Sequence, residues 1–299
     1  MSGTGRYMQV SPISPDERGA ISSFVRSASW QYTHFDYPRR EVLSRPGYQA
    51  TNRAGKRVGV LGCGKDDLPI ARLLFAAVDQ RERPREVIAS LLEPNERELR
   101  DGGAAELVFV GWAPWLARCL RAAGFALRTT VLTYQRLGDA LPETGNQDVH
   151  LRPAVDADVD VLVDLDQAAF APMWRYSAGI HRRLIGSAAY CTIAEHDGTP
   201  IGYQTSDISA DHGYIIRLAV HPDWQGQGVG TRLLVAAIQF FHPGRVQRVM
   251  VNTQADNAIS RRLYERFGFV RRAEEAPALV KQIAPAVEES NPRSSGVIA

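Results

Sequence analysis

The sequence predicts a mixed α/β fold, in which two successive domains each form a central sheet covered by helices. The chain has 299 residues, which exceeds the length of one typical domain. Hydrophobic residues make up 44% of it, enough to fill sizeable cores. Strand and helix patterns alternate along the second half, as they do when helices cover a sheet.

The elements of the second half follow from local patterns. Short apolar or alternating runs predict strands at residues 148–152, 190–195, 200–208, 214–220 and 246–252. Helical spacing predicts helices at residues 156–169, 174–185 and 229–241, and a last one that starts near Asp256. The dipeptide Asp197-Gly198 suits a tight hairpin between two of the strands.

The first half resembles the second at a shift of 144 residues, without gaps. Gly124-Phe125 then falls on Gly268-Phe269, and each pair ends an amphipathic helix preceded by an apolar strand. In the first half these elements are predicted at residues 106–110 and 115–123. The shift also aligns Trp30 with Trp174, Tyr32 with Tyr176, Arg39 with Arg183, Leu74 with Leu218 and Arg118 with Arg262. We therefore expect a tandem duplication, with domains at 1–140 and 148–284, a linker at 141–147 and a disordered tail at 285–299.

Charge and composition exclude several classes of function. The net charge is only +2, and the charges alternate in sign along residues 79–86, so no nucleic-acid partner is expected. The longest apolar runs, such as 233–241, are far shorter than the roughly 20 residues of a membrane helix. The N-terminus lacks the apolar core of a secretory signal. A cytoplasmic protein without a membrane partner is expected.

The cysteines predict neither disulfides nor a metal site. Cys63, Cys119 and Cys191 lie far apart in no paired motif. Ordinary thiols in a reducing compartment are the expected state.

A glycine-rich turn is the most informative local feature. It lies between a predicted strand and a predicted helix and contains Gly226, Gly228 and Gly230. Glycines allow the backbone to approach a ligand closely, and the helix N-terminus presents N–H groups and its positive dipole end to an anion. The turn lacks the Lys-Ser/Thr pair of a nucleoside-triphosphate loop. It predicts a phosphate-bearing cofactor.

The glycine turn has the spacing Gln225-x-x-Gly228-x-Gly230 and is followed by the helical segment 256–269. With these two motifs in this order, the chain resembles the GNAT superfamily of acetyl-CoA-dependent N-acetyltransferases. The resemblance covers roughly residues 148 to 283. It implies acetyl-CoA as co-substrate and direct attack of a substrate amine on the thioester. The cofactor-binding positions that it implies are Leu218, Ala219, Val220, Gln225, Gly226, Gln227, Gly228, Val229, Gly230, Thr231 and Asn257.

The same resemblance implies that Tyr264 is the acid that protonates the thiolate leaving group. A tyrosine between Leu263 and Phe267 on an amphipathic helix is, alternatively, a core residue. For Asn257 the alternatives are a contact with the pantetheine arm and a position beside the helix cap. Asp256 is the expected cap itself.

The general base is not identified by the sequence. Asn252 and Tyr214 stand where related enzymes carry a glutamate, and a water relay through these two residues is one possibility. The other candidates near strand ends are Asp207, Asp211, His212 and Glu195, each of which also reads as a surface or turn residue.

The first half is expected to have lost its cofactor site. At the position of the glycine turn it carries Pro84, which lacks an N–H donor, and the carboxylates of Glu82 and Glu86, which repel pyrophosphate. Leu120 replaces Tyr264. A scaffold or a wall of the substrate site is the expected role of this half.

The resemblance places Trp174, Tyr176 and His181 at the acceptor pocket, although core packing explains Trp174 as well. The expected acceptor is a small-molecule amine, with a peptide N-terminus as a further possibility. The alternative function is a non-catalytic acyl-CoA-binding sensor or interaction module. Because a duplicated domain mimics a homodimer, a monomer is expected, with a homodimer as the alternative.

Overall fold

The computed structural model of the protein describes residues 8–35, 38–64, 69–138, 140–241 and 246–283. The predicted tail at 285–299 lies outside these ranges.

The described part of the first half contains seven strands and four α-helices. The strands are Met8–Pro12 (β1), Trp30–Thr33 (β2), Tyr48–Asn52 (β3), Arg57–Gly64 (β4), Ile70–Val78 (β5), Glu106–Val110 (β6) and Ala126–Arg136 (β7). The helices are Arg18–Ser27 (α1), Arg39–Val42 (α2), Pro84–Asp101 (α3) and Pro114–Ala122 (α4).

In the residues that the structure describes, the second half contains six strands and four α-helices. The strands are His150–Pro153 (β8), Tyr190–His196 (β9), Thr199–Ser209 (β10), His212–Val220 (β11), Arg248–Gln254 (β12) and Val270–Gln282 (β13). The helices are Val159–Ala169 (α5), Ala178–Ser187 (α6), Val229–Phe241 (α7) and Ala258–Arg266 (α8).

One continuous sheet of 13 strands runs through both halves, in the order β1-β3-β4-β5-β6-β13-β7-β12-β11-β10-β9-β8, with β2 paired to β5 off this path. The order reads symmetrically from both ends, because β1, β3, β4, β5 and β6 mirror β8, β9, β10, β11 and β12. The prediction of a mixed α/β fold with two repeated halves is thereby confirmed.

The shift of 144 residues predicts equivalent elements closely. Adding 144 to Pro114–Ala122 gives residues 258–266, which are the bounds of α8. Adding it to Glu106–Val110 gives 250–254, which lie within β12.

The two halves exchange their last strands. β7 from the first half pairs with β12, and β13 from the second half pairs with β6, while β7 and β13 pair with each other at the centre. Each half therefore needs a strand of the other to complete its sheet. The boundaries near residues 140 and 148 stay predictions, since the fold does not divide there into separate cores.

Local sequence explains the best-predicted elements. Helix α7 has the predicted bounds, and its residues at helical spacing, Val229, Leu233, Ala237 and Phe241, are all buried. The hairpin between β9 and β10 turns at Asp197 and Gly198, whose φ angles are 49° and 76°, the positive values that a type I′ turn requires.

The predicted helix at 174–185 is wrong at its start. Trp174 ends a separate 3₁₀ turn, Pro172–Trp174, and the backbone is extended at Arg175. Helix α6 begins only after Ser177, whose hydroxyl accepts the N–H of Ile180 as an N-cap. The sequence analysis also missed β13, whose pattern is irregular because its register shifts twice against β7.

Among the described residues, no helix combines the length and the apolarity that crossing a membrane requires.

Candidate functional site

A groove opens in the sheet between β11 and β12. These parallel strands pair only from His212 opposite Arg248 to Ile215 opposite Val251. On its other edge, β11 contains a bulge at Ile216, because Thr205 pairs with Arg217 while Ser206 pairs with Ile215. Beyond the bulge the edge of β11 that faces β12 has no pairing partner in the described sheet. Its backbone groups are therefore available to a ligand.

The predicted glycine turn lies at the end of this groove. Gly226 and Gly228 have φ angles of 75° and 78°, which only glycine adopts without strain. Helix α7 starts directly after them at Val229, so its first-turn amides have no intrahelical partner. The turn, the helix N-terminus and the adjoining groove fit a cofactor that carries a pyrophosphate on a long thiol-bearing arm.

The remaining predicted cofactor residues contribute in different ways. Leu218, Ala219 and Val220 point their side chains into the hydrophobic clusters on the two faces of the sheet, so only their backbone can face the groove. The side-chain amides of Gln225 and Gln227 donate to the backbone oxygens of Val220 and Asp223, at 3.1 and 2.8 Å, and thereby brace the turn.

Sequence reasoning missed the contact between the linker and this turn. The Asn146 backbone N–H donates to the Gly228 oxygen at 3.2 Å, and its side-chain amide donates to the Gln227 oxygen at 3.1 Å. A Cβ added to Gly145 would lie 2.4 Å from the backbone nitrogen of Arg232, so the linker passes very close to the first turn of α7. In the sequence, Gly145 is the residue that indicates such a close approach of two backbone segments.

Tyr264 lies in the core beneath the groove. Only 5% of the surface of Tyr264 is exposed. The centroid of its ring lies 5.7 Å from that of Phe269 and 6.3 Å from that of Tyr134. Burial raises the pKa of its phenol to about 12, against a smaller lowering by a hydrogen bond with Ser260. The hydroxyl is therefore protonated at neutral pH, as an acid must be. Tyr264 does not line the cavity described below.

Asn257, and not Asp256, is the N-cap of α8. The Asn257 side-chain oxygen accepts the N–H of Ser260 at 3.0 Å. Asp256 instead accepts the hydroxyl of Thr129 at 3.0 Å. The expectation that Asp256 caps the helix was wrong, because the helix starts one residue later than the sequence pattern indicates.

A cavity of about 960 Å³ lies between the two halves, and the groove opens into it. Its walls come from β10, β11, β12 and the exchanged strands β7 and β13, and from the first half through residues such as His34, Arg72 and Trp112. Of the three residues expected at the acceptor pocket, Trp174 and Tyr176 line this cavity, whereas His181 is fully buried.

A buried polar cluster supports the wall that carries Trp174. The Asp166 carboxylate, with no exposed surface, accepts two hydrogen bonds from the Arg217 guanidinium, each at 2.8 Å, and one from the Tyr203 hydroxyl. Arg217 also donates to the Trp174 oxygen at 2.6 Å. Desolvation lowers the pKa of His181 to about 4, more than the nearby Asp166 raises it. The cluster holds the 3₁₀ turn and α6 against the sheet.

Of the four side-chain candidates for the general base, two line the cavity and two do not. Asp207 and His212 line it, and so do Tyr214 and Asn252. The Asp207 carboxylate accepts the backbone N–H groups of Ala189 and Ile208, at 3.2 and 2.8 Å.

The other two candidates are engaged outside the cavity lining. Asp211 pairs with His212 through Nδ1 of the imidazole. Glu195 accepts a hydrogen bond from Arg152 at 2.7 Å, within an ion-pair cluster that also includes Asp158.

In the first half, the equivalent groove is filled by protein. β5 and β6 pair in parallel only over Ile70 to Arg72, as β11 and β12 do over a similar length. Beyond that point β2 pairs with the free edge of β5, from Trp30 opposite Val78 to Thr33 opposite Phe75. The Tyr32 hydroxyl crosses to β6 and donates to the Val110 oxygen at 3.0 Å.

Comparisons with known proteins agree with this architecture. Residues 160–269 match the model of the acetyltransferase (GNAT) family. A mycothiol acetyltransferase from Acidothermus cellulolyticus is 30% identical over 197 residues, which cover 57% of this chain and 60% of that relative. A putative [ribosomal protein bS18]-alanine N-acetyltransferase from Bacillus subtilis is 25% identical over 111 residues, covering 37% of this chain and 74% of the relative.

Two solved structures share the fold over nearly the whole chain. A tandem GNAT protein from the clavulanic acid biosynthesis pathway superposes with a TM-score of 0.62 at 16% identity, over 94% of this chain and 100% of its own. A GCN5-related N-acetyltransferase from Sphaerobacter thermophilus gives 0.61 at 16% identity, over 93% and 96%. The family match places a GNAT acetyltransferase domain at residues 160–269, in the second half, and the solved structures show the same tandem fold over both halves.

Proposed function

We propose that this protein is an acetyl-CoA-dependent N-acetyltransferase whose acceptor is a small-molecule primary amine. The observation that carries the proposal is the groove between β11 and β12, which joins the glycine turn on one side to the cavity between the halves on the other. Members of the GNAT family use acetyl-CoA, and its relatives here are named as acetyltransferases.

Acetyl-CoA, when bound, supplies an activated acetyl thioester for the amine to attack. The amides of the turn at 226–228 and the first turn of α7 would hold its pyrophosphate, and the groove edge of β11 beyond Ile216 would orient the acyl group and donate to its carbonyl oxygen. Tyr264, protonated at neutral pH, would give its proton to the departing thiolate.

The amine must lose a proton before or during attack, because an ordinary amine is charged at neutral pH. The cavity lining offers Asp207 and His212 as acceptors of this proton, and Tyr214 and Asn252 as members of a water relay. Variants Asp207→Asn and His212→Gln, compared by their pH–rate profiles, separate these routes. The route in use is the one whose removal shifts or abolishes the acidic limb.

The first half is proposed to serve as a wall of the acceptor site without binding cofactor. β2 and Tyr32 occupy its groove, and Pro84 begins α3 where the second half has its glycine turn. Because this half closes one side of a cavity of about 960 Å³, a small molecule suits the site better than a long peptide. We also propose a cytoplasmic monomer.

The experiment that tests the function measures thiol release from acetyl-CoA against amino acids, polyamines, aminoglycosides and short peptides. Turnover with one class establishes the enzyme and identifies the acceptor class. A peptide as the only acceptor would correct the substrate class alone.

The alternative is a non-catalytic acyl-CoA sensor, which the amide at Asn252 and the phenol at Tyr214 favour, since neither is a carboxylate. Saturable coenzyme A binding by calorimetry, without thiol release from any amine, would establish the sensor in place of the enzyme.

A further inference from the structure

Some charged side chains around the cavity have no partner of opposite charge. These side chains indicate which kind of acceptor the cavity favours. Charged side chains in the lining are mostly neutralised within the protein. Arg217 pairs with Asp166, Arg272 pairs with Glu274, and Arg183 pairs with Glu41.

Two arginines of the lining have no carboxylate partner in the described parts of the chain. The Arg72 guanidinium donates only to the backbone oxygens of Met173 and Arg175, at 3.2 and 2.9 Å. Arg248, the first residue of β12, forms no side-chain hydrogen bond or ion pair with any described residue, and its Nε atom is buried. The carboxylate of Asp207 is the lining acid that no described cation neutralises.

Arg248 is the unusual member of this set. A buried donor without an acceptor is unfavourable, and a ligand that supplies the acceptor would remove this cost. A guanidinium presents a planar fork of donors that matches the two oxygens of a carboxylate or phosphate. Val249 and Val251 belong to the core cluster, and Arg248, Met250 and Asn252, which alternate with them along β12, line the cavity together with Val251. Arg248 therefore shares a wall with the end of the groove.

We propose that the acceptor amine also carries an anionic group, a carboxylate or a phosphate, and that Arg248 binds this group. This inference rests on the proposed function and narrows its substrate class. With Arg72 as a second uncompensated cation, the cavity favours a negatively charged ligand, while Asp207 remains to attract the ammonium end of the same molecule.

The test compares amines in matched pairs in the thiol-release assay. Phosphoethanolamine against ethanolamine examines a phosphate, and glycine against glycinamide examines a carboxylate. In the wild type we expect a KM about 10-fold or more lower for the anionic member of at least one pair. Arg248→Gln should remove that preference while leaving the KM of the neutral member within about 2-fold. Arg248→Lys, which retains the charge without the planar fork, should fall between them.

A binding measurement on the protein alone tests the proposed anion site independently of acetyltransferase activity. With 15N-labelled arginine, the Arg248 Nε–Hε resonance, assigned by its loss in Arg248→Lys, should shift saturably on titration with inorganic phosphate or acetate. The matched control is Arg271→Gln, since Arg271 is exposed on β13, pairs with Glu275 and does not line the cavity. It should retain both the shift and the KM preference.

Equal KM values within both pairs in the wild type, or an Arg248 resonance that neither anion shifts, would overturn the inference. Thermal unfolding of each variant excludes misfolding as a cause. If no amine is acetylated but the resonance still shifts, the proposed function fails and the anion site stands.

Discussion

At the scale of single residues, burial decides what the side chains near the groove can do. Desolvation raises the pKa of the Tyr264 phenol to about 12, so the hydroxyl stays protonated even well above neutral pH. The same physical cause keeps His181 uncharged, by lowering the pKa of its imidazole to about 4.

Tyr264→Phe is expected to lower kcat by about 100-fold, a usual contribution of one positioned acid, while the Kd for coenzyme A stays nearly constant. The variant keeps the ring that packs against Phe269 and loses only the hydroxyl. Steady-state kinetics and calorimetry measure the two quantities. An unchanged kcat would assign Tyr264 to the core alone.

Asp166→Asn is expected to lower the free energy of unfolding by about 3–5 kcal/mol, because it leaves the Arg217 guanidinium buried without a counter-charge. Arg217 is only 9% exposed and lies 3.6 Å over the ring of Phe170. Chemical denaturation measures the change. The matched control is Asp164→Asn, an exposed position of the same helix, which should stay within about 0.5 kcal/mol of the wild type. Equal losses in both variants would contradict the proposed role of the cluster.

The free energy of unfolding is expected to depend on pH through His181. Its pKa falls from 6.5 to about 4 on folding, so the unfolded chain binds the proton more tightly. The stabilisation is complete above pH 6.5 and is lost as pH falls from 6.5 towards 4. Replacing the residue, as in His181→Leu, should reduce the slope over this interval by about one proton. A slope unchanged in His181→Leu would show that another group is responsible.

At the scale of elements, the linker contacts the glycine turn, although its sequence indicates only a connection between the two halves. Residues 144–147 cross the start of α7, and Asn146 bonds the turn through both its backbone and its side chain. Asn146 also caps its own segment, since its side-chain oxygen accepts the N–H of Asp148 at 2.9 Å. The linker therefore fixes the conformation of the glycine turn.

Asn146→Ala is expected to raise the Kd for coenzyme A by about 3- to 10-fold, because the variant loses a side-chain hydrogen bond to the turn, worth about 0.5–1.5 kcal/mol. The KM for the amine should not change. Calorimetry measures the Kd, and Thr144→Ala, an exposed linker position without a described side-chain bond, is the matched control. Similar affinities in both variants would remove the linker from the cofactor site.

Element prediction succeeded where one physical signal dominates. Helix α7 follows from its apolar period, and the β9–β10 turn follows from Asp197-Gly198. It failed at Trp174 and in β13, because tertiary contacts decide those conformations. The Trp174 oxygen is held by Arg217, which is distant in sequence, and β13 is shaped by strands of the first half.

At the scale of the whole molecule, the exchange of β7 and β13 makes the two halves one structure. The cavity depends on it, because its walls include both exchanged strands and residues of each half. In the first half, β2 pairs with the edge of β5 at the position where the equivalent edge of β11 stays open in the second half, and the fold is otherwise retained.

The full chain is expected to bind one coenzyme A. In the first half, β2 pairs with β5 and a Cβ at Gly111 would lie 2.6 Å from the Tyr32 ring, so no groove is open there. Calorimetric titration should give a stoichiometry near one. In Gly228→Glu, the added carboxylate and a side chain at a φ of 78° should abolish saturable binding. Saturable binding that survives in this variant would place a cofactor site in the first half.

The sequence by itself determined the mixed α/β class, the repeat at 144 residues and the glycine turn with the Tyr264 helix. These features depend on hydrophobic periodicity and backbone conformational preferences, which are set by residues close together in the sequence. Only the tertiary structure decided which strand completes which half, what fills the first groove, and which charges meet around the cavity. Those outcomes depend on contacts between residues far apart in sequence, such as Tyr32 with Val110 and Arg72 with Met173. A local sequence pattern does not specify such partners, so the residues that line the cavity are known only from the folded chain.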